Sequence, residues 1–195
     1  MDFISRLYNN NLANKSGDGV CMLHCFNALK KGGRMAIIVP EGALIEREVR
    51  KHLIKNSTLK CVIALPKGVF LPYTSIRTSI LYFDDCHNGE TNDVLFYEVQ
   101  NDGFSLDNNR NKIKENNLGK LSYDFINGKN FDDYKEYGFK KIHIKDIKNN
   151  DYKLIYSIYN TNNEKENIYD LQYYLMISQP VYNMLIFHLR LNPLL

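Results

Sequence analysis

The chain has 195 residues, 44% of them hydrophobic, which is enough for one globular domain with a real core and excludes a disordered polymer. Its 25 basic residues barely outnumber its 22 acidic ones, and a net charge of +3 excludes a strong overall electrostatic pull toward nucleic acid, membrane surfaces or acidic ligands, so any polyanion contact has to be local. Four cysteines (Cys21, Cys25, Cys61, Cys86) without a signal-peptide pattern read as reduced thiols of a soluble cytoplasmic protein, and no apolar run reaches the roughly 18 residues that a membrane helix requires.

Residues 8–15 carry no strand pattern and read as a loop. After Ser16-Gly17-Asp18-Gly19, Val20, Leu23, Phe26 and Leu29 recur at helical spacing, and Lys31-Gly32-Gly33 stops that helix. Residues 35–39 (Met-Ala-Ile-Ile-Val) form an unbroken β-prone run, whose lack of alternation predicts a strand buried on both faces. Pro40-Glu41-Gly42 ends it. Residues 44–55 return to helical period, with Ile45, Val49, Leu53 and Ile54 on one side and Glu46 four residues before Arg50 on the other.

A second apolar strand over 59–65 lies far enough along for a strand–helix–strand crossover, which predicts that it runs parallel to the first as its neighbour or near neighbour. The third strand, 78–83, follows after a connection of Pro66 to Arg77 that holds Pro66, Gly68 and Pro72 and no helical period. Too little helix remains there for a parallel crossover, so parallel units end in one antiparallel strand. Long irregular loops in compact domains tend to be functional, which singles out residues 66–77. Residues 94–99 read as a further strand and Asn101-Asp102-Gly103 as the turn after it, followed by a polar stretch that contains Asn108, Asn109 and Arg110.

Four phrases in this order resemble the modification subunit of type I restriction enzymes, an N-6 adenine DNA methyltransferase family: Lys31-Gly32-Gly33-Arg34 running into Val39-Pro40-Glu41-Gly42; Leu65-Pro66-Lys67-Gly68-Val69-Phe70 with Pro72-Tyr73-Thr74; Thr78-Ser79-Ile80-Leu81-Tyr82-Phe83; and Asn101-Asp102-Gly103-Phe104-Ser105-Leu106-Asp107. Asn150-Asp151-Tyr152-Lys153-Leu154 is similar to a phrase near the end of such subunits. The resemblance covers roughly residues 1–160 and implies the C-terminal portion only.

The resemblance implies an α/β fold: part of a class I methyltransferase (Rossmann-like) sheet, parallel strands plus one antiparallel strand, with a helical or irregular C-terminal extension. Residues 1–110 would be the C-terminal part of the catalytic domain, 111–160 a polar extension and 161–195 an apolar tail of unknown role. The implied reaction flips an adenine out of the duplex and methylates its exocyclic amine. Phe70 is then the residue that stacks on the base, with Tyr73 as the alternative, and Thr74 and Arg77 line the same loop. Without the phrase, Phe70 reads as a loop aromatic plugged into the core. Pro40, Glu41 and Gly42 would form the cleft edge, although Glu41 reads equally as a solvated loop carboxylate.

The paired prolines that follow a polar residue in the family's catalytic motif are absent: the five prolines are Pro40, Pro66, Pro72, Pro180 and Pro193, none adjacent to another. Gly17-Asp18-Gly19 is the only candidate for a glycine-rich turn binding S-adenosylmethionine, and it lacks a preceding strand. No catalytic or cofactor-binding residue is therefore assigned to this chain, and S-adenosylmethionine is a cofactor of the complete enzyme only. Expected partners are DNA, a specificity subunit and the N-terminal methyltransferase half.

Cys21, His24 and Cys25 sit close on one helix, but a tetrahedral site needs more ligands, and no metal is expected. Arg47, Arg50, Lys51 and Lys55, with Lys140, Lys141, Lys145 and Lys148, read as solvated surface, with phosphate contact as the alternative. Residues 171–195 read as a docking segment or as a tail without a role, and the whole chain as a fragment needing its other half, a non-enzymatic interaction module, or a decayed remnant.

Overall fold

The structure, a computed structural model, describes residues 17–119 and 138–160. The loop expected over 8–15 and the apolar tail from 161 lie outside the described residues. Helix α1 (Gly17–Asn27) is followed by strand β1 (Gly33–Pro40), a 3-10 turn (Glu41–Ile45), α2 (Arg47–Lys55), β2 (Thr58–Ala64), β3 (Thr78–Cys86) and β4 (Asp93–Glu98). A short ribbon of β5 (Asp102–Phe104) and β6 (Lys112–Asn116) comes next, then β7 (Lys140–His143), α3 (Ile144–Asn149) and α4 (Tyr156–Tyr159).

Helix α1 ends at Asn27, short of the expected stop at Lys31-Gly32-Gly33, and leaves Leu29 outside it; the glycines serve the turn into β1 instead. Gly32 takes φ +76° and donates its N–H to the Cys86 carbonyl at 2.8 Å, which fastens the entrance of β1 to the exit of β3. The helix expected over 44–55 divides instead. Residues Glu41–Ile45 wind as a 3-10 turn, and the α-helix starts only at Arg47, after Glu46 in an extended conformation.

The main sheet has the order β1-β3-β2-β4-β7. Strands β1 and β2 both pair antiparallel with β3, so they run parallel to each other, as expected, but β3 lies between them. Strands β2 and β4 are parallel, and β4 pairs antiparallel with β7. The fold is mixed α/β. It differs from the expectation of a single antiparallel strand at the end of parallel units, because the short 66–77 connection turns the chain straight back beside β2 and into the gap next to β1.

One face of this sheet carries the larger core. Leu81, Phe83, Val62 and Phe96 meet Leu23 and Phe26 of α1 and Val49 and Leu53 of α2, all fully or nearly fully buried. Ile147, Leu154 and Tyr156 join the same core, so the chain after β7 closes over the end of the sheet. On the opposite face Cys61 and Phe139 are buried among Ile63, Tyr82, Leu95 and Tyr97.

Strand β1 is not buried on both faces. Met35 and Val39 face the core, whereas Ala36 and Ile38 are exposed, Ile38 by 52%. Among the described residues β1 has a neighbour on one side only, and no described element covers its second face. An unbroken apolar run reports the capacity for burial, not its presence.

Thr91, 3% exposed, ties the α2–β2 corner to the start of β4: its hydroxyl donates to the Ser57 carbonyl (2.8 Å) and accepts the Leu59 N–H (2.9 Å). Thr91→Val keeps the shape and orphans both backbone groups, so urea unfolding is expected to show a loss of roughly 2–3 kcal/mol. A loss below about 0.5 kcal/mol, the range of a typical surface change, contradicts that role.

Candidate functional site

Ligands of open α/β sheets sit outside the carboxyl ends of the parallel strands, where side chains leave the sheet and backbone groups lose their ladder partners. In this chain that edge is formed by the ends of β1, β2 and β4 and the start of β3. Pro40 pairs with Thr78 and Ala64 with Ser79, and beyond the ladders the Leu65 N–H donates to the Thr78 carbonyl (2.9 Å) and the Val99 N–H to the Ala64 carbonyl (2.9 Å). Residues 66–77 rise from this edge between β2 and β3.

The loop contains no helix. It is a chain of short turns, with N–H donation from Val69 to the Pro66 carbonyl, Leu71 to Gly68, and both Tyr73 and Thr74 to Phe70. Gly68 has φ +88°, and a Cβ there would lie 3.0 Å from Leu71 Cδ1, so the turn requires glycine on conformational and spatial grounds. Phe70 is 37% exposed and belongs to neither core cluster, and Tyr73 is 93% exposed. Phe70 is thus not plugged into the core. Thr74, half-buried, steadies the exit of the loop: its hydroxyl accepts the Ile76 N–H at 3.1 Å.

Arg77 joins the loop to both flanks. Its carbonyl accepts the Glu41 N–H at 3.0 Å, which brings the Pro40, Glu41 and Gly42 corner against the loop exit. Its guanidinium pairs with Glu98 at 3.7 Å, each side chain about 30% exposed (31% and 28%). Such a pair contributes at most about 1 kcal/mol and acts here as a positional tie. Glu41 is 6% exposed, which corrects its reading as a solvated loop carboxylate.

Other sequence candidates separate in space or in role. Cys21, His24 and Cys25 lie on the exposed side of α1, Cys61 is in β2 with its thiol pushed up to about 12 by burial, and no group of three metal-ligating side chains occurs among the described residues. Arg47 pairs with Glu48 and Asp151 on the surface, and Lys141 with Asp93 at 2.9 Å. Arg50 is neither solvated nor placed to reach a phosphate. It is 1% exposed and donates to three main-chain carbonyls, of Leu44, Asp151 and Tyr152. The expected Glu46–Arg50 surface pairing gives way to this. Glu46 instead places its carboxylate against Gly19, with Oε2 2.9 Å from where a Cβ on Gly19 would be.

That last contact also tests the fit of a methyl donor. Gly17 to Gly19 form the first turn of α1, and the Glu46 carboxylate packs against this turn at Gly19, an acidic neighbour that opposes an anionic ligand group. These residues do not fit S-adenosylmethionine.

The sequence model of the family described as N-6 DNA Methylase matches residues 4–167, which is most of the chain. The chain belongs to the N-6 DNA methylase family. Two curated relatives are the methylase subunits of the type I restriction enzymes EcoEI (Escherichia coli), 39% identical over 70 residues, and EcoKI (E. coli strain K12), 32% identical over 66 residues. Those stretches are 34% and 32% of this chain but only 14% and 12% of the relatives. Among solved structures, the type I restriction-modification methyltransferase subunit of Streptococcus thermophilus superposes with a TM-score of 0.54 at 28% identity, over 73% of this chain and 30% of its own. A chain from work on complex assembly and conformational transition of a type I restriction-modification system gives a TM-score of 0.61 over 88% of this chain and 38% of its own; at 21% identity that likeness concerns the fold. The chain therefore spans well under half the length of these relatives. No helix among the described residues is long and apolar enough to cross a membrane.

Within the N-6 DNA methylase frame, the sequence reading missed two contributors to this edge. Glu98 carries no motif and is placed only by the parallel register of β2 and β4. The other is the β5–β6 ribbon, whose Leu106 carbonyl lies 3.7 Å from where a Cβ on Gly68 would be. Its phrase, Asn101 to Asp107, was visible in the sequence without a role attached.

Proposed function

We propose that this chain supplies the target-base side of a site-specific DNA adenine-N6 methyltransferase of the type I restriction-modification kind, and that it is inactive without a separate donor-binding part. The observation that carries this is the turn-rich 66–77 loop, which holds the rings of Phe70 and Tyr73 out at the carboxyl edge of the sheet instead of burying them. A planar ring fixed on a rigid edge takes an unstacked base by its face, and every base has such a face to offer. Phe70 takes this role and Tyr73 lies beside it. Thr74 and Arg77 keep the loop in place, through the hydroxyl acceptor to Ile76 and the tie to Glu98. Pro40, Glu41 and Gly42 form the rim on the β1 side.

S-adenosylmethionine is the methyl donor of the family's chemistry. The paired-proline motif, whose side-chain oxygen and backbone carbonyl would accept hydrogen bonds from the adenine amine, is absent from these 195 residues, and no fitting donor turn occurs among the described residues, so no transfer step is assigned to them. Purified chain, mixed with duplex DNA and labelled donor, is expected to transfer no methyl groups, and calorimetry to show no donor binding. Donor-dependent labelling above background by the chain alone contradicts this reading. The base role has its own test: affinity for DNA with 2-aminopurine at an unpaired position, read by fluorescence. Phe70→Ala is expected to weaken binding roughly 5- to 150-fold, the range for one lost stacking partner. An unchanged affinity in both Phe70→Ala and Tyr73→Ala removes the loop from base recognition.

One observation favours a second reading, an interaction module that joins a specificity subunit or a separately encoded methyltransferase half. The outer edge of β1 has no partner among the described residues and carries exposed Ala36 and Ile38, a template for strand addition. Co-purification with such a protein, lost on Ile38→Lys while DNA binding persists, distinguishes this reading.

A further inference from the structure

Five large hydrophobic side chains are conspicuously exposed among the described residues: Ile38, Phe70, Tyr73, Phe104 and Leu106. Four of them belong to two loops that touch. Phe70 and Tyr73 are on the 66–77 loop, and Phe104 and Leu106 are at the tip of the β5–β6 ribbon, whose backbone at Leu106 closes over Gly68. Clustered apolar exposure of this kind marks a surface that meets something.

The ribbon tip is built to hold its shape. Arg110 adopts φ +51°, forms an ion pair with Asp102 and donates to the Ser105 carbonyl at 3.0 Å, while its guanidinium lies over the Phe104 ring at 5.5 Å. Asp107 accepts the N–H groups of Asn109 (2.8 Å) and Arg110 (3.1 Å), and the Asn109 bond above all holds its carboxyl below the usual carboxylate range. Asp102 is therefore paired with Arg110, while Asp107 accepts the turn's N–H groups and stays exposed. The lysines of β6 share the side of Phe104: Phe104 sits opposite Lys112 in the ladder, Lys114 follows on the same side, and Glu115 alternates to the other side. Lys67 is exposed beside Gly68 in the neighbouring loop, and Lys67, Lys112 and Lys114 have no ion-pair partner among the described residues.

We infer that the β5–β6 ribbon is a second nucleic-acid contact, in which Phe104 packs its ring on an unpaired nucleotide next to the flipped base while Lys112 and Lys114 meet the adjoining phosphates. Aromatic faces interleaved with lysines are the pattern that holds a single strand. The rigid Asp102–Arg110 tie keeps the ring oriented, and the Leu106–Gly68 contact sets it beside the Phe70 loop. This inference rests on the base-holding reading of that loop, and the test separates the two.

The experiment measures fluorescence anisotropy of a labelled single strand of roughly 12 nucleotides with the full chain, across a salt series. Phe104→Leu retains apolar bulk and removes the planar face, and a fall in affinity of about 5-fold or more is expected with unchanged thermal unfolding. Lys112→Gln and Lys114→Gln are each expected to lower the salt slope by about 1, whereas Phe104→Leu leaves the slope unchanged. If the ribbon variants bind like the parent while Phe70→Ala is weakened, the ribbon inference is wrong and the base loop stands. Ribbon variants that bind DNA normally but lose a co-purifying protein make the surface a protein contact and overturn it as well. Absence of any strand binding by the parent chain overturns both.

Discussion

Replacing Arg50 by methionine is expected to destabilise the fold by roughly 3–5 kcal/mol, a large share of the roughly 5–15 kcal/mol that holds a domain together. The guanidinium is 1% exposed, and burial lowers its affinity for the proton from the usual arginine value, yet arginine stays charged in proteins. What stabilises that charge is a fork of carbonyls. Nε donates to Tyr152 at 2.7 Å, Nη2 to Asp151 at 2.8 Å and Nη1 to Leu44. Methionine fills the space of the stem and leaves the buried Leu44 and Tyr152 carbonyls without a donor, each at a cost of about 1–3 kcal/mol before relaxation, while the part-buried Asp151 carbonyl loses its partner closer to solvent.

The acceptors are available because Asp151 and Tyr152 both take positive φ, +57° and +58°, which turns successive carbonyls toward the helix. This gives the Asn150-Asp151-Tyr152-Lys153-Leu154 phrase a structural meaning: it is a clasp that binds α2 to the segment carrying Leu154, Ile155 and Tyr156 into the core. Urea unfolding should show a midpoint lower by about 2 M for Arg50→Met, at a typical slope of roughly 2 kcal/mol/M. Arg50→Lys is expected to fall between, since a compact ammonium cannot span three carbonyls set for a planar fork. A change below about 1 kcal/mol in Arg50→Met contradicts the clasp.

Arg50 also shows where sequence reading stops. Glu46 and Arg50 stand at the i,i+4 spacing of a solvent-side ion pair, and nothing within 20 residues on either side announces that the carbonyls of Asp151 and Tyr152 arrive to claim the guanidinium. Strands β1 and β3 make the same point about partners. Both are continuous apolar runs, yet β1 is an edge of the described sheet with Ile38 half in water, and β3 is interior. The length of the 66–77 connection did limit β3 to an antiparallel return, because twelve residues rich in proline and glycine cannot build a crossover helix. It said nothing of which side of β2 the strand would take.

The loop itself was legible for the same reason: Pro66, Gly68 and Pro72 punctuate it, and the aromatics between them have no strand or helix period to bury them. Glu98 was not legible. It reaches Arg77 only because β4 lies parallel beside β2, and register between distant strands is a tertiary property. The ribbon lay between these cases, recognisable as a turn at Asn101-Asp102-Gly103 but not as a surface that meets the loop.

Phe96→Ala is the second large effect, expected at roughly 3–5 kcal/mol for a wholly buried aromatic in a sheet interior. Phe96 lies on β4 between β2 and β7, opposite Val62 on one side and Lys140 on the other, with its ring 4.8 Å from that of Tyr159. The hole left by alanine cannot collapse easily, because β4 is hydrogen-bonded on both edges and Tyr159 is itself held by donation of its hydroxyl to the Lys153 carbonyl at 2.7 Å. The double variant Phe96→Ala, Tyr159→Ala should cost less than the sum of the singles by about 0.5–1.5 kcal/mol, the coupling of one aromatic pair. Additive losses would show that the rings merely share a core. A coupling in that range shows that the two rings interact directly and that the last described segment helps close the sheet that carries the 66–77 loop. If the 66–77 loop holds a base as proposed, destabilising that segment is expected to weaken strand binding at the nearby carboxyl end of β4, where Glu98 pairs with Arg77, and strand binding by Phe96→Ala near its unfolding midpoint measures it directly.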